Sequence, residues 1–224
     1  MSDRDYFKRA LTFSVFDKIA FSVRRRIFDL FLQYIKPGRE ESIVDIGVFA
    51  GSEDPDQNFL EQFYDYPHRI TGVGIEDASF LERQYPGLRF VKVSPGEKLP
   101  FKDGQFDVGF SSATIEHVGS REDQRLFLEE GLRVCRRFFL TTPNRFYPIE
   151  FHTRLPLLHC LPQPLFRRIL KMIGLDFYSE EKNLNLLGKK DLMNLVPTSY
   201  RSKASMIPCR LLGVTSNLIL VVKK

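Results

Sequence analysis

Residues 43–51, IVDIGVFAG, join a short apolar strand to a glycine turn by way of an acid, Asp45. Gly47 and Gly51 tolerate positive φ and leave room for a ligand against the backbone. Dinucleotide sites place a diphosphate at the helix N-terminus after such a turn, where backbone N–H groups and the helix dipole favour an anion. A carboxylate at Asp45 would repel that diphosphate, and the GxGxxG spacing is not met. The turn therefore suits a ligand carrying positive charge, and a nicotinamide-dependent oxidoreductase is disfavoured. Phe49 stands where the middle glycine of such a turn is expected. The loop must bend differently around its ring or turn the ring away from the ligand.

The rest of the chain offers little covalent chemistry. No convincing Ser-His-Asp set appears, and Cys135, Cys160 and Cys209 contain no CxxC pair, so neither a disulfide framework nor a zinc site is expected. A reducing cytoplasm is the expected location. The 224 residues suffice for one packed domain with a small appendage. No apolar run approaches the roughly 20 residues that cross a bilayer, and the opening MSDRDYFKRA lacks a signal-peptide core. The net charge of +5 is carried partly by Arg24-Arg25-Arg26, Arg136-Arg137, Arg167-Arg168 and Lys189-Lys190. Such groups make solvated helix faces first and meet an anionic acceptor or a membrane surface second. No nucleic-acid-binding signature accompanies them, so nucleic acid is not an expected partner.

The elements that must position the turn follow from hydrophobic periodicity. Phe16, Ile19, Val23, Ile27, Leu30 and Tyr34 recur at helical spacing until Pro37-Gly38 stops the run. Strands are expected over 43–46, 69–74, 90–93, 106–111 and 138–142, alternating with helices over 58–64, 79–84 and 122–134. Ser120 and Asp123 are set as a capping box for the last of these. Alternation of this kind predicts an α/β fold with a parallel sheet covered on both faces, and ligands at the carboxyl ends of its strands. Beyond Pro143 a Pro- and His-containing stretch leads to a basic amphipathic helix over 165–173, and 205–212 with 216–222 read as a closing antiparallel hairpin.

Four segments in this order, IVDIGVFAG, RITGVGIED, KLPFKDGQFDVGFSSATIEHV and FFLTTPNR, resemble the class I S-adenosylmethionine-dependent methyltransferases, especially the type 11 group. The resemblance implies a three-layer, Rossmann-like, seven-stranded sheet, mostly parallel with an antiparallel last strand. It divides one domain into an N-terminal helical segment (1–38), a cofactor-binding core (39–145), an acceptor-site or lid insertion (146–197) and the closing hairpin (198–224). The implied cofactor, S-adenosylmethionine, carries an ammonium and a sulfonium and no phosphate, which agrees with the charge of Asp45.

Carried over by position, Asp45 and Gly47 would lie along the methionine portion of the cofactor, and Gly51 keeps the end of that cofactor-binding turn. Glu76 would hold the ribose diol, because Gly74 stands where the family's acid ends the second strand. Backbone around Gly96 would serve the adenine, because Pro95 replaces another acid. Ser111 would sit at the rim of the cleft after the fourth strand. Glu116-His117 matches the EHV signature, and His117 could act as a base. His152, His159 and Arg154 fall where the family builds its acceptor site, with His152 the second catalytic candidate. Some methyltransferases hold a divalent ion here with a further carboxylate one turn earlier. That position is Ala113, so no metal is expected. The implied activity is methylation of a small-molecule or lipid-linked acceptor, anionic in character, at oxygen, with peripheral membrane contact through the basic helix. Phe49, Gly74 and Pro95 together motivate an alternative, a non-catalytic binding protein with a modified cofactor site.

Overall fold

A computed structural model of the chain describes residues 15–51 and 55–224. The opening MSDRDYFKRA lies outside these residues, as does the side chain of Phe16. Helix α1 (Val15–Ile35) buries Val23, Ile27, Phe28, Phe31 and Ile35, positions three or four apart that share one face. Tyr34, read from spacing as part of that face, is 36% exposed. The helix stops because Lys36 adopts left-handed φ of 52° and Pro37 follows it.

Seven strands then form one sheet: β1 (Ile43–Ile46), β2 (Ile70–Gly74), β3 (Arg89–Lys92), β4 (Phe106–Ser112), β5 (Cys135–Pro143), β6 (Ala204–Leu211) and β7 (Val214–Lys223). Their order is β3-β2-β1-β4-β5-β7-β6, and β7 alone runs antiparallel to its neighbours β5 and β6. Strand order reverses between β1 and β4, so the crevice for a ligand lies beyond the carboxyl ends of those two strands.

The faces are covered as the alternation predicts. On one side α1, α2 (Phe59–Phe63) and α3 (Phe80–Gln84) pack with Ile43, Ile70, Val108 and Phe139. Phe31 meets Phe110 and Phe139 edge-on at 5.2 and 5.5 Å, while those two rings stack at 5.6 Å. On the other side α4 (Arg121–Val134) supplies Leu128 and Leu132, and α7 (Lys189–Leu195) supplies Leu192 and Leu195, against Val44, Phe138 and Leu220. The Ser120–Asp123 capping box of α4 is present, with Ser120 N donating to Asp123 Oδ2 at 2.8 Å. Between β5 and α7 lie α5 (Gln163–Met172) and α6 (Asp176–Ser179), which enclose a small core of their own: Phe166, Leu170, Tyr178, Leu184 and Leu186.

Candidate active site

The glycine turn leaves β1 and folds across the end of β2, where Gly47 N and Val48 N both donate to Val73 O at 2.8 and 3.0 Å. Gly47 has φ of 103°, and a Cβ there would fall 2.2 Å from Thr114 Oγ1. Its glycine therefore admits the β4 exit as well as a bent backbone. Phe49 resolves its conflict with the turn in a specific way. Asn58, buried before α2, accepts from Phe49 N at 2.8 Å and donates to Phe49 O at 2.9 Å. With its backbone so clamped, the ring lies across Gly51, where an added Cβ would meet Cε1 at 2.2 Å. Val48 accounts for a second departure, because a Cβ on Gly74 would approach its Cγ2 and carbonyl oxygen to 3.2 Å. An acid at position 74 would have to displace that packing.

Strand alternation points Asp45 into the layer beneath α1 and α2, where it meets Glu61 of α2. Asp45 is 6% and Glu61 1% exposed. Burial, and then the neighbouring Glu61, hold the Asp45 carboxyl well above the ordinary range. Burial also pushes Glu61 up to about 7. The charge that the sequence assigns to Asp45 is thus shared between two acids. Neither Glu61 oxygen has a hydrogen-bond partner among the described residues. A buried acid pair lacking donors beside a glycine turn fits a ligand end that brings an ammonium, and it opposes a phosphate.

The remaining expected cofactor residues are spread along the same end of the sheet. Glu76 is exposed two residues beyond β2, and Gly96, with φ of 75°, is exposed in open space after β3. Ser111 departs from expectation. It is buried rather than at the rim, because its hydroxyl donates to Ile46 O at 2.7 Å and ties β4 to β1.

The two candidate catalytic histidines, 35 residues apart, come together: His117 Nε2 lies 3.0 Å from His152 Nε2. His117 sits on the short 3-10 turn Ile115–His117 and its Nδ1 donates to Asn183 O at 2.6 Å. His152 Nδ1 donates to Glu150 Oε1 at 2.6 Å, and Glu150 also accepts from the backbone N–H groups of His152 and Thr153. Burial works against the Glu150 carboxylate, but these donors and the His152 charge outweigh it and hold its pKa at about 2. Burial likewise opposes the His152 cation, and Glu150 overcomes it, so the His152 pKa is raised. His117 is pushed down to about 4 by burial and then by His152. Beside them Glu116 is fully buried, with Oε2 accepting from Thr142 Oγ1 at 2.8 Å.

His159 is not part of this cluster; it is buried and its Nε2 donates to Tyr147 O at 2.7 Å. Glu61, Asn58, Glu150 and Asn183 were not singled out by sequence, since each gains its role only from a tertiary neighbour. A surface pocket of about 410 Å³ lined by Asp103, Glu129, Arg133 and Lys224 contains none of these groups.

Residues 54–137 match a family model for the methyltransferase domain. No curated protein matches the chain by sequence. Among solved structures, a Thermotoga maritima S-adenosylmethionine-dependent methyltransferase is 19% identical, with a TM-score of 0.57 over 99% of this chain and 96% of its own. Magnesium protoporphyrin IX methyltransferase from Synechocystis PCC 6803, solved with bound S-adenosylhomocysteine, is 14% identical with a TM-score of 0.57 over 98% of this chain and 94% of its own. The Burkholderia thailandensis 1,6-didemethyltoxoflavin-N1-methyltransferase, also solved with S-adenosylhomocysteine, is 14% identical with a TM-score of 0.55 over 91% of this chain and 78% of its own. At these identities the structural likeness establishes the shared fold.

Proposed function

We propose, from the premise that this chain is a class I S-adenosylmethionine-dependent methyltransferase, that it methylates a hydroxyl of a small-molecule or lipid-linked acceptor. When bound, the cofactor supplies a methyl group already activated on sulfonium. On this reading Asp45, Glu61 and Gly47 hold its methionine end, Gly51 shapes the turn beneath the Phe49 ring, Glu76 takes the ribose diol and the backbone at Gly96 the adenine. What remains for the protein is to align the acceptor, exclude water and receive a proton.

The observation that carries oxygen as the methylated atom is the convergence of His117 and His152 at 3.0 Å, with Glu150 behind them. An imidazole pair backed by a carboxylate suits a group that must lose a proton as it is methylated. Segment 146–197 brings His152 and Glu150 to the EHV turn, which supports its reading as the acceptor-side cover.

Calorimetry with S-adenosylhomocysteine tests the cofactor site, and absence of heat at millimolar ligand would count against it. His152→Ala should leave S-adenosylhomocysteine affinity within about twofold while lowering transfer to a hydroxyl acceptor by roughly 10²–10⁴-fold. A panel of phenols, prenylated phenols and amines, read by mass, tests the acceptor. Methylation of amines alone would overturn the oxygen reading.

A further inference from the structure

We infer that Glu116, His117 and His152 form a binding site for one divalent transition-metal ion. The argument begins with the tautomers. A carbonyl or a carboxylate oxygen only accepts, so His117 Nδ1, 2.6 Å from Asn183 O, and His152 Nδ1, 2.6 Å from Glu150 Oε1, both carry the proton. Neutral imidazole has one N–H. With both rings neutral each Nε2 offers a lone pair, and the two nitrogens lie 3.0 Å apart, so that a metal ion there takes the place of the proton that otherwise bridges them. Glu116 adds a third: its residue is fully buried, Thr142 occupies Oε2, and Oε1 has no partner among the described residues. The three ligand atoms lie within 4.8 Å of one another.

A single proton can bridge the two nitrogens but leaves Glu116 Oε1 unserved, whereas a cation serves all three. Metal–nitrogen bonds of about 2.0–2.1 Å put two ligands ~2.9 Å apart at right angles and ~3.3 Å apart at the tetrahedral angle, and the spacing found here lies between the two. The surroundings match as well. Metal-bound histidines usually donate their other N–H to a carboxylate or a backbone carbonyl, which fixes ring and tautomer. Here one does each. Two imidazoles and one carboxylate select a borderline ion such as Zn²⁺, Fe²⁺ or Co²⁺ over Ca²⁺ or Mg²⁺.

The sequence argued against a metal because Ala113 lacks a carboxylate. In the fold the additional ligand comes instead from His152, on a segment beyond β5. Three protein ligands leave coordination positions open, and a hydroxyl taken there would lose its proton to solvent more readily than a free one, so that the imidazoles would serve as ligands rather than as the base. This last step rests on the reading of the site as an acceptor pocket; the metal site itself does not.

The 224-residue chain, stripped with chelator and dialysed, should bind Co²⁺ one to one with visible d–d absorption, and Zn²⁺ should displace it. His152→Ala and Glu116→Gln should each weaken Co²⁺ binding by more than the roughly 10–100-fold that Glu150→Gln, a supporting residue, should cause. Circular dichroism on each variant identifies any that fails to fold, and the others then carry the test. No Co²⁺ binding by the folded wild-type protein, or affinity unchanged in both folded ligand variants, would overturn the site. S-adenosylhomocysteine binding without Co²⁺ binding defeats the metal alone. Co²⁺ binding without cofactor binding defeats the proposed function alone.

Discussion

Two buried clusters of titratable side chains flank the carboxyl ends of β1 and β4, and they handle charge differently. Around His152 each committed nitrogen has an oxygen opposite it, so charge is compensated in place. Between Asp45 and Glu61 no cation compensates, burial outweighs the contact the two acids make with each other, and both carboxyls rise. For an acid with folded pKa near 7 and an ordinary unfolded value of 4.5, the unfolded chain releases its proton first as pH rises. Stability from this group therefore falls between about pH 4.5 and pH 7 and stays low above it. Glu61→Gln removes that penalty while keeping the shape of the side chain. Thermal unfolding should shift upward by several degrees at about pH 8 and by little at about pH 4.5. The same variant should bind S-adenosylhomocysteine roughly tenfold or more weakly at the higher pH, since a charged hydrogen-bond acceptor is lost. An unchanged melting temperature at both pH values would show that the pair carries no buried charge.

At the scale of elements, the parts legible in the sequence are those whose signal is local. β1, β4 and β7 are apolar runs, and α4 announces itself through Ser120 and Asp123 as well as its periodicity. α6 and α7, of 4 and 7 residues, are too short for periodicity to register, and tertiary packing holds them, helped in α7 by Asp191, which accepts from Gly188 N at 2.8 Å. The site divides in the same way. Asp45, Gly47 and each histidine stand out by type, but the Glu61 partnership, the fold of Phe49 over Gly51 and the meeting of His117 with His152 arise from contacts that no local pattern encodes. α5 shows a further feature: Phe166 and Leu170 face inward, while Leu165 and Met172, at 46% and 76% exposed, form an outward stripe beside Arg168 and Lys171. No helix among the described residues is long and apolar enough to cross a membrane, but a stripe of this kind suits the interface of an anionic bilayer. The protein should sediment with phosphatidylserine-containing vesicles and not with neutral ones. Arg168→Ala should weaken that partition about fivefold, the effect of ~1 kcal/mol per basic residue near the surface. Equal sedimentation with both vesicle types would remove α5 as an electrostatic contact.

For the molecule as a whole, the decisive joint is between the sheet and the segment that follows β5. The sheet is gripped on both faces by large cores, whereas α5 and α6 enclose five buried side chains. Apart from Leu187, which is buried in the sheet's core, what fastens them to the sheet is polar. Asn185 N donates to Glu116 O at 2.7 Å and its side chain to Gly119 O at 2.8 Å, while Gln124 reaches back to Asn185 O at 2.8 Å. A unit with a small core and a hydrogen-bonded seam should open on its own before the sheet does. Native-state hydrogen exchange should then give α5 amides a lower opening free energy than those of β1, β4 and β5. Asn185→Ala should lower it by a further ~1–3 kcal/mol, since Gly119 O loses its donor and Gln163 Nε2 its acceptor in the seam. Opening also carries His152 away from His117, so an ion held by both must oppose it. Co²⁺ at about 100 times its dissociation constant should raise the α5 opening free energy by about 2.7 kcal/mol, and should do so no more than marginally in His152→Ala. Exchange of α5 only through global unfolding would show instead that segment and sheet form one cooperative unit, with the acceptor side as rigid as the cofactor side.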